Sequence, residues 1–408
     1  MSTPGYQQSL GRRIAAERRR RGLSQSQLAT MIDRSVAWVS QVERGARTID
    51  RMSVLEMLAR ALEVPLAELA AEAPLVAALT EEPAGAGGLR LVLSGVHSLR
   101  PIVSEDGPPD LAGLSAQADQ AWELTHAGQY TELTDLLTGL VPELESAALS
   151  TSEDGQAEVF SLLTATYQAC SAALARLGDT EAAWIAADRA IAAAGRTGSP
   201  QLVAAGAYRL VFVFIAARHY AQAQETAQTA ADGIGPLAAG GDPEAMSLLG
   251  GLTLQRGFIA ARLGDAAAAY AFLADARQVA GHLGEGRDDH FTEFGPANVG
   301  LHEIAIAVEL GDAGRALQAH ADTDTSGLSP ERRGRTLLDV ARAHAQRRQV
   351  SEAVAALLEA ERITPQQVRS HGLARQIATD LLAMADPPDT ELRELAARLT
   401  GREQRADD

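Results

Sequence analysis

The sequence predicts an all-α protein in two parts: a head of five short helices, then a long α-solenoid. Three observations predict it. Apolar residues make up 46% of the 408 residues but aromatics only 4%, so an alanine-rich, thin-walled helical core is expected. A helix, a short turn and a second helix recur over most of the chain, the sequence mark of stacked helix pairs. The charge also divides: residues 1–72 hold 11 Arg against 8 Asp and Glu, the other 336 hold 25 Arg against 45 acids, and the net is −17. A small, weakly basic head is joined to a large acidic body.

Taken in order, residues 9–21 form an amphipathic helix, and Ser24 stands where it caps a second. Further helices are expected near 35–44, 52–62 and 65–71, with Pro65 suited to a first helical turn. The head domain therefore spans 1–72. Residues 73–115 read as a linker, punctuated by Pro74, Pro83, Gly85-Ala86-Gly87-Gly88, Pro101 and Pro108-Pro109. Its apolar stretch from Leu89 to Val103 is expected to be a short helix docked on a domain.

From 116 to 401 the chain repeats itself, leaving a tail at 402–408. The clearest turns are Ala175-Arg-Leu-Gly-Asp179, Ala261-Arg-Leu-Gly-Asp265 and Val308-Glu-Leu-Gly-Asp312. Weaker copies are His126-Ala-Gly-Gln-Tyr130, Ala217-Arg-His-Tyr220 and Gln346-Arg-Arg-Gln349. Aligned on Gly128, Gly178, His219, Gly264, Gly311 and Arg348, they lie 50, 41, 45, 47 and 37 residues apart. Glycine permits the left-handed stop of one helix, and aspartate caps the next.

The segment Leu23–Gly45 resembles the helix-turn-helix of Xre-family, phage-repressor-type regulators. Leu23-Ser24-Gln25, Leu28-Ala29, Ser35, Val39-Ser40 and Glu43-Arg44-Gly45 carry the match. Ala29 is small where the two helices cross, Val39 faces it, and Leu28, Ile32 and Val42 complete the pocket. The resemblance implies double-stranded DNA as partner, with Ser35 opening the recognition helix. Val36 and Ala37 offer apolar contact to a thymine methyl, and Ser40 and Gln41 supply hydrogen-bond readout. Gln25, Arg44 and Arg47 fall on phosphates. It also implies an inward pair between Arg18 and Glu43. Arg19, Arg20 and Arg21 read as a solvated helix end, and Trp38 as partly buried. Asp33 replaces the family's turn glycine, and Val36-Ala37 stand where the family often carries Arg or Gln. The repeats resemble tetratricopeptide repeats, through Leu177-Gly178, Leu263-Gly264, Leu310-Gly311 and the small residues Ala183, Ala190, Ala269 and Ala316. Head and repeats together resemble bacterial one-component regulators in which a tetratricopeptide-like sensor controls a helix-turn-helix.

Several classes are excluded. All 36 basic residues are arginine, which removes a phosphate loop ending in Gly-Lys and any Schiff-base lysine. The single Cys170 cannot form an internal disulfide or a Cys-based zinc site, and reads as a core thiol. No signal pattern opens the chain, and an apolar run such as Leu210–Ala217 is only eight residues, far short of the roughly 20 that span a bilayer. A cytoplasmic protein without membrane contact is expected. His302-Glu303 lacks the second histidine of a zinc protease at Ile306. Asp288, Asp289, His290 and Glu293 read as a hydrated loop with capping carboxylates. No catalytic residue, cofactor or metal is expected.

A ligand would bind on the inner surface of the solenoid. Asn298, His302, Ala305 and Glu309 share a helix face at i, i+4, i+7 and i+11, and Gln255 is the equivalent of His302 one repeat earlier. An Asn side chain can clamp a peptide backbone with two hydrogen bonds. The competing reading is that the small residues at equivalent positions, Ala165, Gly206 and Gly251, merely let helices pack tightly. The acidic body is expected to repel DNA and to favour cationic or zwitterionic partners. The function that the resemblance implies is a DNA-binding transcription regulator controlled by a signalling peptide, small molecule or partner protein, and one head makes too few contacts alone, so a homodimer is expected. The alternative is a tetratricopeptide-like interaction scaffold whose head has lost specific DNA binding.

Overall fold

The computed structural model describes residues 4–32, 34–45, 49, 52–62, 64, 86–94, 109–385 and 389–399, and the chain forms two compact units, Met1–Glu82 and Pro83–Asp408. No strand occurs among the described residues. No helix there is long and apolar enough to cross a membrane.

The head contains α1 (Pro4–Arg20), α2 (Gln25–Met31), α3 (Val36–Glu43) and α4 (Met52–Leu62). The fifth helix expected at 65–71 lies outside the described residues, as does Asp33. Ser24 begins α2 with a reciprocal cap: its hydroxyl accepts from the Gln27 amide at 3.1 Å, and the Gln27 side chain accepts from the Ser24 amide at 2.8 Å. Two of the helix's open amides are satisfied this way. Leu28, Ala29, Ile32, Val39 and Val42 are buried together with Leu10 and Ile14 of α1 and Leu58 and Leu62 of α4. Gly11 permits the crossing of α1 and α3, since a Cβ there would stand 2.4 Å from the Val42 carbonyl oxygen.

The second unit begins with α5 (Ala86–Val92), a short helix within the stretch expected to be linker. It buries Ala86, Leu89 and Val92 in the first core of the solenoid. Six helix pairs follow: α6 (Leu111–Ala127) with α7 (Tyr130–Ser150), α8 (Glu153–Arg176) with α9 (Thr180–Thr197), α10 (Pro200–Ala216) with α11 (Tyr220–Ala239), α12 (Pro243–Arg262) with α13 (Ala266–Leu283), α14 (Pro296–Leu310) with α15 (Ala313–Asp322), and α16 (Pro330–Gln346) with α17 (Val350–Ile363). Helices α18 (Pro365–Ser370), α19 (Gly372–Met384) and α20 (Thr390–Leu399) end it. Cys170 is fully buried in this core, and burial pushes its thiol pKa up.

The turns have the expected chemistry. Gly128, Gly178, Gly264 and Gly311 are left-handed, with φ between 70° and 86°. Asp179, Asp265 and Asp312 accept from the amides of Ala182, Ala268 and Arg315. One register is corrected: the left-handed residue of the third turn is Arg218 (φ 61°), not His219. With no glycine to mark it, the alignment slipped by one residue. The array also curls until its end meets its beginning. The Gln366 side chain accepts from the Thr131 amide at 3.0 Å and donates to Glu132 at 3.1 Å, across 235 and 234 residues of sequence. The inner face of the solenoid therefore encloses a lumen.

Candidate functional site

In the head, α3 is begun by Ser35, whose hydroxyl accepts from the Trp38 amide at 3.1 Å. Val36 is 45% exposed, and Ala37, Gln41 and Arg44 are exposed beside it while Ser40 is half-buried. Arg44 folds its Nε back onto the Ser40 carbonyl at 3.1 Å. Trp38 is half-buried against the head core, with the Arg34 guanidinium 6.0 Å from its ring centre. Arg47 lies outside the described residues.

Behind that surface Arg18 forks onto Glu43, Nε to Oε1 at 2.5 Å and Nη2 to Oε2 at 3.0 Å, and also donates to the Leu23 carbonyl at 2.6 Å. Burial acts to raise the Glu43 pKa, but hydrogen bonds from Arg18 and Gln25 hold it below the usual carboxylate range. The inward pair implied by the family resemblance is therefore present. Gln25 belongs to it as well: its Nε2 donates to Glu43 at 2.8 Å. The amide expected on phosphate is engaged in tying the start of α2 to the end of α3.

In the solenoid, one cavity is lined by the first helix of every pair: Trp122 on α6, Arg176 on α8, Arg209 and Phe212 on α10, Gln255 and Phe258 on α12, Asn298 and His302 on α14, Arg332 and Arg335 on α16. All three sequence-predicted ligand residues, Gln255, Asn298 and His302, are thus brought together. Their hydrogen bonds differ. Asn298 is 1% exposed, and its Nδ2 donates to the carbonyls of Thr292 and Glu293 at 3.0 and 2.9 Å. It clamps a backbone with two hydrogen bonds, but the backbone is the chain's own. His302 points Nδ1 at the Asn298 carbonyl at 3.0 Å; a carbonyl only accepts, so Nδ1 carries the proton and Nε2 the lone pair. Burial, reinforced by Arg332 and Arg335, pushes the His302 pKa down to about 3, so the ring is neutral. Gln255 is 2% exposed, and its Nε2 has no hydrogen-bond partner among the described residues. The small residues do serve packing. A Cβ on Gly206 would meet Ile191 at 2.8 Å, and one on Gly251 would meet Tyr208 at 3.2 Å.

The segment that Asn298 holds was not legible in the sequence. His290, Phe291 and Glu293 all have φ between 45° and 60°, a region costly for side chains other than glycine. Several contacts hold it there. Phe291 stacks on Trp122 at 4.0 Å between ring centres, and Arg209 Nη2 donates to the Phe291 carbonyl at 2.7 Å. Arg332 reaches Glu293 at 2.6 Å and the Thr292 carbonyl at 2.5 Å. The loop's carboxylates are engaged as well: Asp289 takes the fork of Arg287, and Asp288 accepts from the Glu293 amide. Among the described residues, no three His, Cys, Asp or Glu stand together in metal-holding geometry.

The lumen corrects the charge expectation. Arg176, Arg209, Arg332 and Arg335 line it against Glu293, Glu331 and Asp339, a formal excess of one positive charge inside an acidic body. Net charge summed over a chain says nothing about which side chains an enclosed face gathers.

Residues 9–71 match a family model described as a helix-turn-helix domain, so the head is a helix-turn-helix domain. No curated protein matches the chain. Among solved structures it is similar to PlcR of Bacillus thuringiensis, in complex with the peptide PapR7 and DNA, at 15% identity over 68% of this chain and 95% of that one, with a TM-score of 0.30.

Proposed function

We propose that the chain is a sequence-specific transcription regulator whose head reads DNA and whose solenoid lumen binds the peptide or small ligand that controls it. The observation that carries this reading is the division of labour in the head. Arg18, Gln25 and Glu43 are engaged in bracing α2 and α3, while Val36, Ala37, Gln41 and Arg44 stand exposed on α3. A helix-turn-helix domain lays this helix in the major groove. Val36 and Ala37 then meet thymine methyls, Ser40 and Gln41 read base edges, and Arg44 and Arg47 hold phosphates.

One head offers few contacts, so the working form is a homodimer, and its site is a near-palindrome with half-sites roughly 34 Å, or a multiple, apart. Gln255 and His302 are the proposed ligand contacts, and Asn298 holds the wall beside them. The lumen touches the first helix of every pair, so a ligand there shifts neighbouring pairs together and changes the pitch of the closed array. In a dimer joined through its solenoids, such a change of pitch alters which half-site spacing both heads can reach. The reading places the protein in the cytoplasm, as a binding protein rather than an enzyme.

The test is selection of bound fragments from genomic DNA by the full chain, with and without culture medium or cell extract. Enrichment of a shared near-palindrome, altered by one of the additions, is the expected result. Recovery of unrelated fragments at every salt concentration contradicts it and favours the interaction-scaffold alternative.

A further inference from the structure

Two of the four lumenal arginines are paired with carboxylates. Arg176 Nε donates to Glu331 at 2.7 Å, and Arg332 Nε to Glu293 at 2.6 Å. The other two are not. Among the described residues Arg209 has one hydrogen bond, to the Phe291 carbonyl, and its buried Nε has no partner. Its guanidinium lies 4.7 Å from the centre of the Trp122 ring. Arg335 makes no hydrogen bond or close ion pair among the described residues, although the charges of Glu331 and Asp339 act on it from nearby. Asp339 is itself shared with Arg342 at 3.5 Å. Gln255 Nε2 adds a second buried donor without an acceptor.

Such a site is costly when empty. Buried donors without acceptors lose their hydration and gain nothing for it, and guanidinium groups gathered in one lumen repel each other. Burial lowers both Arg209 and Arg335 from the usual guanidinium range, Arg209 to about 10, and Arg176 and Arg332 push each of them further down. An acceptor-bearing anion relieves all of these costs at once.

We propose that the lumen holds a carboxylate, bound by Arg209 and Arg335 with Gln255 as a further donor. This rests on the reading of the lumen as the sensor's ligand cavity and names the chemical class of that ligand. A carboxylate is singly charged and matches the single excess positive charge of the lining. A phosphate, carrying close to two charges at neutral pH, overcompensates it. The carboxylate's two oxygens suit the planar fork of a guanidinium. Phe212, Ile215 and Phe258 line the same cavity, so the carboxylate is carried on an apolar body.

The experiment titrates the full chain with benzoate, with its neutral isostere benzamide and with inorganic phosphate, reading Tm and tryptophan emission. Binding to the native state alone raises Tm by mass action. Benzoate is expected to raise Tm saturably, with a change in emission from Trp122, and benzamide and phosphate to do neither. Arg209→Gln is expected to weaken benzoate at least tenfold. Arg335→Gln breaks no hydrogen bond, and so provides a folded control with the same loss of affinity and a raised Tm without ligand. Equal effects of benzoate and benzamide overturn the carboxylate and leave the ligand cavity standing. A phosphate effect without a benzoate effect overturns it in favour of a dianion. Unchanged benzoate affinity in Arg335→Gln, or no response to benzoate, also overturns it. None of these outcomes uses DNA, so none bears on the head.

Discussion

Arg176 and Glu331 lie 155 residues apart in sequence and meet at 2.7 Å, guanidinium Nε on carboxylate Oε1, inside the solenoid. The pair joins the second helix pair to the sixth, and so closes the array from within. Glu331 is 7% exposed. Burial alone acts to raise its pKa, but Arg176, then Arg335 and Arg332, hold it down to about 2.

Glu331→Ala leaves the half-buried Arg176 without its partner, a change that costs about 3 kcal/mol, the low end for a buried pair. Urea unfolding of the full chain, followed by far-UV circular dichroism, is expected to show a loss of that order for the solenoid transition. A loss of less than about 0.5 kcal/mol, the size of an exposed pair, means that the closure contributes nothing.

Acid is expected to destabilise the solenoid before it reaches the carboxylates. Burial pushes His302 down to about 3 and His371 down to about 4. Unfolded histidines take up protons near pH 6.5, so between pH 6.5 and 4 the unfolded state binds more protons and stability falls as pH falls. The slope is roughly 1.4 kcal/mol per pH unit for each such histidine. Glu331 adds to it from about pH 4.5 downward, since its folded pKa is depressed. Asparagine can replace the donor that His302 offers to the Asn298 carbonyl, and His302→Asn is expected to reduce the slope by about one proton. An unchanged slope shows that His302 is protonated in the folded chain.

The head gives a contrast between an arginine that braces the fold and one proposed to face DNA. Arg18 and Glu43 have side chains only 10% and 5% exposed, so Arg18→Ala is expected to destabilise the head by about 3 kcal/mol and to leave the salt dependence of DNA binding unchanged. Arg44→Ala is expected to leave stability within about 0.5 kcal/mol and to lower the log–log salt slope by about one. If the two variants exchange these effects, Arg18 faces DNA and the docking is wrong.

Gly11→Ala is an independent probe of the same packing. Its Cβ would stand 2.4 Å from the Val42 carbonyl oxygen and 2.7 Å from that of Glu43. Both are backbone atoms that cannot move aside, so a cost of about 1–3 kcal/mol is expected, with lowered Tm of the head as the readout. An unchanged Tm means that α1 and α3 are not in contact there.

What was legible in the sequence is what short spacing encodes. The Ser24 cap, the Asp179, Asp265 and Asp312 caps and the left-handed glycines depend on neighbours a few residues away. The core of the head was legible for the same reason, because Leu28, Ala29, Ile32, Val39 and Val42 fall on facing helical stripes. The third turn slipped because Arg218 does a glycine's work. The closure through Gln366 and Thr131 was hidden, since nothing local in either residue speaks of a partner 235 positions away. Asn298 and His302 were singled out from their shared face and Gln255 from its place in the repeat, but neither signal reveals which hydrogen bonds are already made. The Thr292 and Glu293 carbonyls that take up the Asn298 amide come from a strained loop without any sequence signature.

If α3 reads base edges, Gln41 is the residue to show it, being exposed on α3 and engaged in no hydrogen bond among the described residues. The measurement is footprinting of the full chain and Gln41→Ala on fragments selected from genomic DNA, each tested against single-base variants of the protected site. The parent is expected to protect a near-palindrome and to lose about 1–3 kcal/mol of binding at one position per half-site when that base is changed. Gln41→Ala is expected to bind more weakly and to be indifferent to that base. Identical protection and identical base preference in the two proteins would mean that α3 does not read bases through Gln41.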